Sequence, residues 1–389
     1  MREKSRKLVC ALATMSLTIG MLAGCGGSSE TEQSSEGSTE AAASETSVAT
    51  ESGTVSGSAS ESDAAAIIAK AAEVGKVGNW GLGNEYEVLA LLAKYDLPTE
   101  YLSQDFTMDG FDDDSILLAS AMTYNELGLV KNDYDGGYSY GDSVEYIDMN
   151  DEGVAMMEDN IFTTKAFAEE NPETVAAFLY ASLKGWEYAV ANPEEAAEIV
   201  YEAGSSVSPE HQSYMAAEVA KLVSTNTKGE EVTDIGNMDD EALQQTLDIA
   251  KKYVTLDDET ANTNFQALTL DDIRDNTFIT KAKESDGTFD IEKKSVSIQL
   301  KWLPQAQFMG YYVAQAKGYY TEVGFDEVEI VSGGGDIAET TAVNNGTVDF
   351  GVTWETNLAS ADASGMDLVE IAQIYQRSGL VLVYKPDNF

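Results

Sequence analysis

The chain has 389 residues, with 68 acidic against 23 basic side chains and a formal net charge of −45. That imbalance excludes nucleic acid and anionic membrane surfaces as electrostatic partners and disfavours strongly anionic ligands. With two cysteines and one histidine, neither a disulfide framework nor a cysteine-based metal centre is expected, and no cofactor is called for.

Arg2, Lys4, Arg6 and Lys7 form a basic start, followed by an apolar stretch from Leu8 to about Leu22 that ends in Leu22-Ala23-Gly24-Cys25. The apolar run is shorter than the ~20 residues that span a bilayer, so residues 1–24 read as a lipoprotein signal. Cys25 is then the lipid attachment point, and Cys10 leaves with the signal. The expected location is extracytoplasmic, on the cell membrane, with the lipid as the only membrane contact. Residues 25–64 read as a tether. From Gly26 to Asp63 there is no aromatic and no basic residue, too little apolar surface to offset the entropy of ordering. A flexible segment of that length spans roughly 35 Å.

Beyond the tether, strands and helices alternate. Lys76 to Trp80 reads as a strand, and Gly81-Leu82-Gly83 turns into a helix from about Asn84 with Leu89, Leu92 and Ala93 on one face. Val144 to Ile147 is another strand. From Pro172 to Tyr188 the spacing of Val175, Phe178, Leu179, Leu183 and Trp186 predicts an amphipathic helix started by Asn171-Pro172. Asn192-Pro193 and Ser208-Pro209 start two more. Lys281 to Lys294 is polar and reads as a surface linker. Strands follow at Val296–Leu300, Val328–Val331, Val348–Val352, Leu368–Ile374 and Leu380–Val383, with helices at Phe308–Lys317, Asp336–Val343 and Thr356–Ala363. This repeated pattern predicts an α/β fold in which mostly parallel sheets are flanked by helices. Ligands of such sheets sit at the carboxyl ends of strands, which draws attention to Trp302, Gly333 to Asp336, Trp354 and Arg377.

The run Leu300-Lys301-Trp302-Leu303-Pro304-Gln305-Ala306-Gln307-Phe308-Met309-Gly310-Tyr311-Tyr312 resembles the start of the mature binding proteins for thiamine pyrimidine precursors. Their wider family includes binding proteins for riboflavin and alkanesulfonates. Lys317 to Tyr320, Gly334 to Ile337, Val348 to Trp354 and Gln376 to Gly379 continue the match in order. Trp80 to Glu87, Ser120 to Glu126 and Asn150 to Met156 are similar to the family's middle region, yet they stand in front. The resemblance therefore implies a circularly permuted, two-lobe periplasmic-binding-protein fold of type II. On this reading residues 65–150 form lobe two, residues 151–389 form lobe one, and about 281–294 joins the family's usual termini. The new ends, near Ala66 and at Phe389, are expected at a hinge crossing, with one hinge strand cut.

The resemblance further implies a monomeric solute-binding protein that delivers a small heteroaromatic ligand to an ABC transporter permease. An aminopyrimidine offers two ring faces and a rim of nitrogen donors and acceptors. Trp302 and Trp354 are the candidate walls, against the alternative of core packing. Glu126 is the first candidate for the rim, against the alternative of a solvated surface carboxylate, with Tyr124 and Asn125 on the same loop. Asn84 and Glu85 follow the glycine-rich turn and suit a polar neutral group. Gln305, Gln307 and Phe308 are candidates for the floor, and Asp336 either joins them or caps its helix. Arg377 is expected to pair with an acid across the hinge.

Riboflavin or another flavin, and a sulfonate, remain alternative ligands. A different class is the fungal branch of the family, enzymes that build the pyrimidine from their own histidine and pyridoxal phosphate. Those carry a cysteine-rich segment where this chain reads Glu152 to Phe162 without cysteine. The single histidine, His211, lies in a polar helical stretch apart from every motif. A non-enzyme is expected.

Overall fold

The computed structural model describes residues 61–389; the expected signal, Cys25 and most of the tether lie outside the described residues. Within them, ten strands form two five-stranded sheets. In chain order these are β1 (Val77–Asn79), β2 (Leu102–Ser103), β3 (Leu118–Met122), β4 (Glu145–Asp148), β5 (Asn160–Thr164), β6 (Ser295–Gln299), β7 (Glu327–Val331), β8 (Phe350–Thr353), β9 (Leu368–Gln373) and β10 (Leu380–Tyr384). One sheet has the order β2-β1-β3-β10-β4 and the other β7-β6-β8-β5-β9.

In each sheet four strands run one way and one runs against them: β10 in the first and β5 in the second. The reversed strand is the one entered straight after a crossing between lobes. The chain leaves one sheet at its carboxyl edge and meets the other sheet at its carboxyl edge. It must therefore enter running backwards. β5 carries little signal in the sequence: its five residues, Asn160 to Thr164, follow Glu158-Asp159 and show no alternation. It sits in the interior of its sheet, where Phe162 passes so close to Gly351 that a Cβ there would meet its ring at 2.4 Å.

The helices used below are α1 (Glu61–Glu73), α2 (Glu85–Lys94), α3 (Glu126–Lys131), α4 (Pro172–Ala191), α5 (Pro193–Glu202), α6 (Pro209–Ser224), α7 (Asp240–Tyr253), α8 (Met309–Ala316), α9 (Glu339–Asn344) and α10 (Glu355–Ala361). Val175, Phe178, Leu179, Leu183 and Trp186 of α4 are all buried, as their spacing predicts. Phe178 stacks on Phe350 of β8 with ring centroids 4.1 Å apart, which seats α4 on the second sheet. Gly185 and Gly310 let α4 and α8 approach until backbone meets backbone: a Cβ on Gly185 would lie 2.1 Å from the Gly310 carbonyl. Ser208 caps α6 by accepting from the His211 N–H. α9 starts at Glu339, three residues later than expected, because Gly333 to Ala338 is spent on a turn with Gly334 at φ +151°.

Two expectations are corrected by the topology. β10 pairs with β3 and β4, so the last ten residues belong with the lobe of residues 65–150 and not with residues 151–389. α1, the first described helix, and the C-terminus also lie together on that lobe. Lys70 of α1 donates to the Asn388 carbonyl at 2.6 Å and sits over the Phe389 ring. Both crossings, β4 to β5 and β9 to β10, are continuous, so no hinge strand is cut. Residues 285–294 form neither helix nor strand and lie along α4, where Glu292 accepts from the Thr174 N–H at 2.8 Å.

Candidate functional site

The carboxyl ends of both sheets face one another, and the lobes touch there. Thr356 Oγ1 of α10 donates to the Gly83 carbonyl at 2.9 Å, and the Asn357 amide donates to the Leu82 carbonyl at 3.1 Å. Gly83 has φ +115°, and a Cβ on it would meet Asn357 at 2.3 Å. No other residue fits this closed contact.

Beside the contact lies a cavity of about 440 Å³, within the size range of small-molecule sites. Its walls include Leu82 from one lobe and Lys301, Trp302, Gly335, Glu339 and Asn357 from the other. Trp302 is half-buried there, with its ring edge-on to Phe106 of the opposite lobe at 5.2 Å. A larger open groove of about 870 Å³ runs along α7 and Arg274, on another face.

A buried polar layer lies at the same strand ends as Trp302. Asp159, at the start of β5, takes the left-handed backbone region with φ 49°, which an aspartate tolerates better than most side chains. One carboxylate oxygen accepts from Gln307 Nε2 at 2.7 Å and the other from Trp354 Nε1 at 3.2 Å. Gln305 donates to the Gln307 carbonyl oxygen of the side chain at 2.7 Å, and Tyr375 OH donates to the Gln307 backbone carbonyl at 3.1 Å. Lys301 Nζ lies 4.5 Å from the Trp354 ring centre and 3.2 Å from Glu339, whose same oxygen accepts from Thr353 Oγ1. Burial pushes the Asp159 carboxyl up to about 7, against the bonds from Gln307 and Trp354 and the nearby Lys301 charge.

The expected site residues thus divide. Trp302 stands on the cavity wall. Gln305, Gln307 and Trp354 belong to the buried layer, and Trp354 has its N–H and one face already engaged, so it supports rather than walls. Phe308 is fully buried in the hydrophobic core and does not form a floor. Asp336 is exposed and caps nothing; the residue preceding α9 is Ala338. Asn84 is buried and accepts from the Asn79 amide, while Glu85 accepts from the Gly83 N–H at 2.8 Å, so both brace the glycine turn.

Glu126 is occupied locally. Its carboxylate accepts from the Met122 N–H at 2.9 Å and the Asn125 amide at 2.8 Å, which folds the loop between β3 and α3. Tyr124 is buried and edge-on to Tyr375 at 6.0 Å. His211 departs from its expected isolation: its Nε2 lies 3.2 Å from the Asn125 carbonyl, and its ring stacks on Tyr134. Arg377 pairs with Asp148 at 3.0 Å, next to the crossing from β9 to β10.

Sequence reasoning missed Asp159, Lys301, Glu339 and Tyr375. It also missed Glu87 and Glu158, both buried at the other crossing. Glu87 accepts from the Met156 N–H and Glu158 from the Gly379 N–H. Burial raises both carboxyls, Glu87 to about 8; the Glu87 charge raises Glu158 further, and the Asp148 charge raises Glu87. The one available signal was Glu158-Asp159-Asn160, three polar residues running into the apolar pair Ile161-Phe162.

No group of histidine, cysteine, aspartate and glutamate among the described residues is arranged to hold a metal ion. No described helix is long and apolar enough to cross a membrane. In comparisons with known proteins, a family described as "NMT1/THI5 like" matches residues 75–196 and 305–388, just over half of the chain. No curated protein and no solved structure matches.

Proposed function

The chain belongs to the NMT1/THI5-like family, and from that membership we propose that it is an extracytoplasmic solute-binding protein for a thiamine pyrimidine precursor. The observation that carries this reading is the cavity between the lobes, walled by Trp302 and bordered by Leu82 of the facing lobe. A flat aminopyrimidine suits it: Trp302 offers a ring face, and Lys301, Glu339 and Asn357 offer donors and acceptors for the rim. Lobe closure over the ligand and docking of the closed form on an ABC permease complete the proposed cycle. The lipid on Cys25 would hold the protein at the membrane.

The two family-matched segments fall on either side of residues 197–304. We read the chain as a circular permutant whose usual ends are joined through about 281–294. The nearness of Lys70 to Phe389 supports this reading, because the two ends made by opening a chain at one point begin as neighbours.

The test is thermal shift and native mass spectrometry of the purified mature protein against hydroxymethyl- and formylamino-pyrimidines, thiamine, riboflavin and taurine. Stabilisation by the pyrimidines is the expected outcome. Stabilisation by taurine alone would overturn the ligand class, and by riboflavin alone would replace the pyrimidine with a flavin.

A further inference from the structure

Phe106 combines two properties that seldom meet: it is 54 % exposed, and its loop is tied down on both sides. On one side the Gln104 side chain donates to the Ser120 carbonyl at 2.8 Å and accepts from the Ser120 N–H at 3.0 Å. The Gln104 N–H donates to the Asn79 carbonyl at 2.9 Å. On the other side Met108 N–H donates to Tyr138 OH at 3.1 Å. Between them Asp105 accepts from the Thr107 N–H at 2.8 Å and its hydroxyl at 2.7 Å, closing a tight turn around Phe106. The backbone that carries the ring is thereby fixed to its own lobe.

What the ring touches lies on the other lobe. It meets Trp302 edge to face, with planes at 61°. It also reaches Gly335, where a Cβ would stand 3.7 Å from Phe106 and 3.5 Å from Trp302. The contact therefore joins the two lobes beside the cavity, whose wall includes Trp302 and Gly335. Leu82, Leu303 and Ile337 are further exposed apolar side chains, and Leu82 and Ile337 border the same cavity.

We propose that Phe106 is a positioning residue that clasps Trp302 across the cleft and sets how long a flat heteroaromatic ligand stays in the cavity. This deepens the solute-binding reading and rests on it. The ring supplies no polar group to a ligand. Its edge fixes the Trp302 plane and adds one aromatic pair to the closed state alone. The pair belongs to the closed state, with or without ligand, so its loss speeds opening and with it departure.

The test is stopped-flow tryptophan fluorescence with hydroxymethyl-aminopyrimidine as the probe. Phe106→Ala should raise the dissociation rate about fivefold, the size of one aromatic pair. Phe106→Tyr should behave as the parent. An unchanged dissociation rate in Phe106→Ala, or a Phe106→Tyr variant just as fast, overturns the proposal. A second measurement needs no ligand: hydrogen exchange by mass spectrometry over residues 300–308 and 332–339. Lower protection there in Phe106→Ala supports the clasp, and equal protection overturns it. Should the parent protein fail to bind the probe, the pyrimidine reading falls, and the exchange comparison still decides the clasp.

Discussion

Asp159 shows how one side chain organises a site that its neighbours in sequence do not announce. It holds Gln307 and Trp354 at once, and both donors are buried. Asp159→Ala leaves two buried donors unpaired, each worth about 1–3 kcal/mol, so a fall in the urea midpoint and at least tenfold weaker pyrimidine binding are expected. Trp302→Ala should weaken binding by a similar factor with little loss of stability, because its ring is only partly covered; calorimetry and denaturant titration separate the two effects. Glu87 gives a pH prediction. Its carboxyl, raised by burial to about 8, binds its proton more tightly folded than unfolded, with Ser378, Met156 N–H, Asp148 and Glu158 around it. Stability from this group is fully present below the ordinary glutamate range and is lost as pH climbs toward 8. The melting temperature should therefore rise as pH is lowered from 8 to 5. Glu87→Gln should flatten part of that rise, and a variant with the parent's slope would show that Glu87 is not responsible.

At the scale of elements, the decisive contacts are glycine-mediated. Gly185 and Gly310 bring α4 and α8 together, and the Trp186 ring fills the space a Cβ on Gly310 would need, at 2.2 Å. Gly185→Ala must push the helices apart, an overpacking cost of about 1–3 kcal/mol, readable as a lower midpoint in urea denaturation at unchanged slope. Local pattern was legible for such helices: α4, α5 and α6 start where Asn-Pro and Ser-Pro pairs place them. Sequence was less informative for β5. An interior strand of five residues with Asn160, Thr163 and Thr164 carries neither alternation nor a long apolar run, and only pairing to β8 and β9 makes it a strand. The loop of Glu126 is the opposite case. A carboxylate after an apolar strand suggested a ligand contact, yet in the fold it closes its own turn.

For the molecule as a whole, the ends and the crossings matter most. Both crossings are continuous, and α1 meets Phe389 on the lobe that contains β10. A chain reconnected from Phe389 to Glu61 and opened between Ser285 and Asp290 should therefore keep its fold, because it breaks no strand and no helix. Its circular dichroism and its pyrimidine affinity should match the parent within about twofold, and loss of folding would count against the reading of 281–294 as a joint between former ends.

The sequence by itself determined the periodic elements, the acidic surface, the glycine turns and Trp302 at a strand end, since each depends on neighbours within a few positions. Only the tertiary structure decided that Trp354 is engaged by Asp159 and Lys301, that Phe308 is core, and that β10 joins the first lobe. Those outcomes depend on residues some 50 to more than 200 positions apart meeting in space. Spacing along a chain records which face a side chain shares with its own helix or strand. It carries no record of what the other lobe will place against that face.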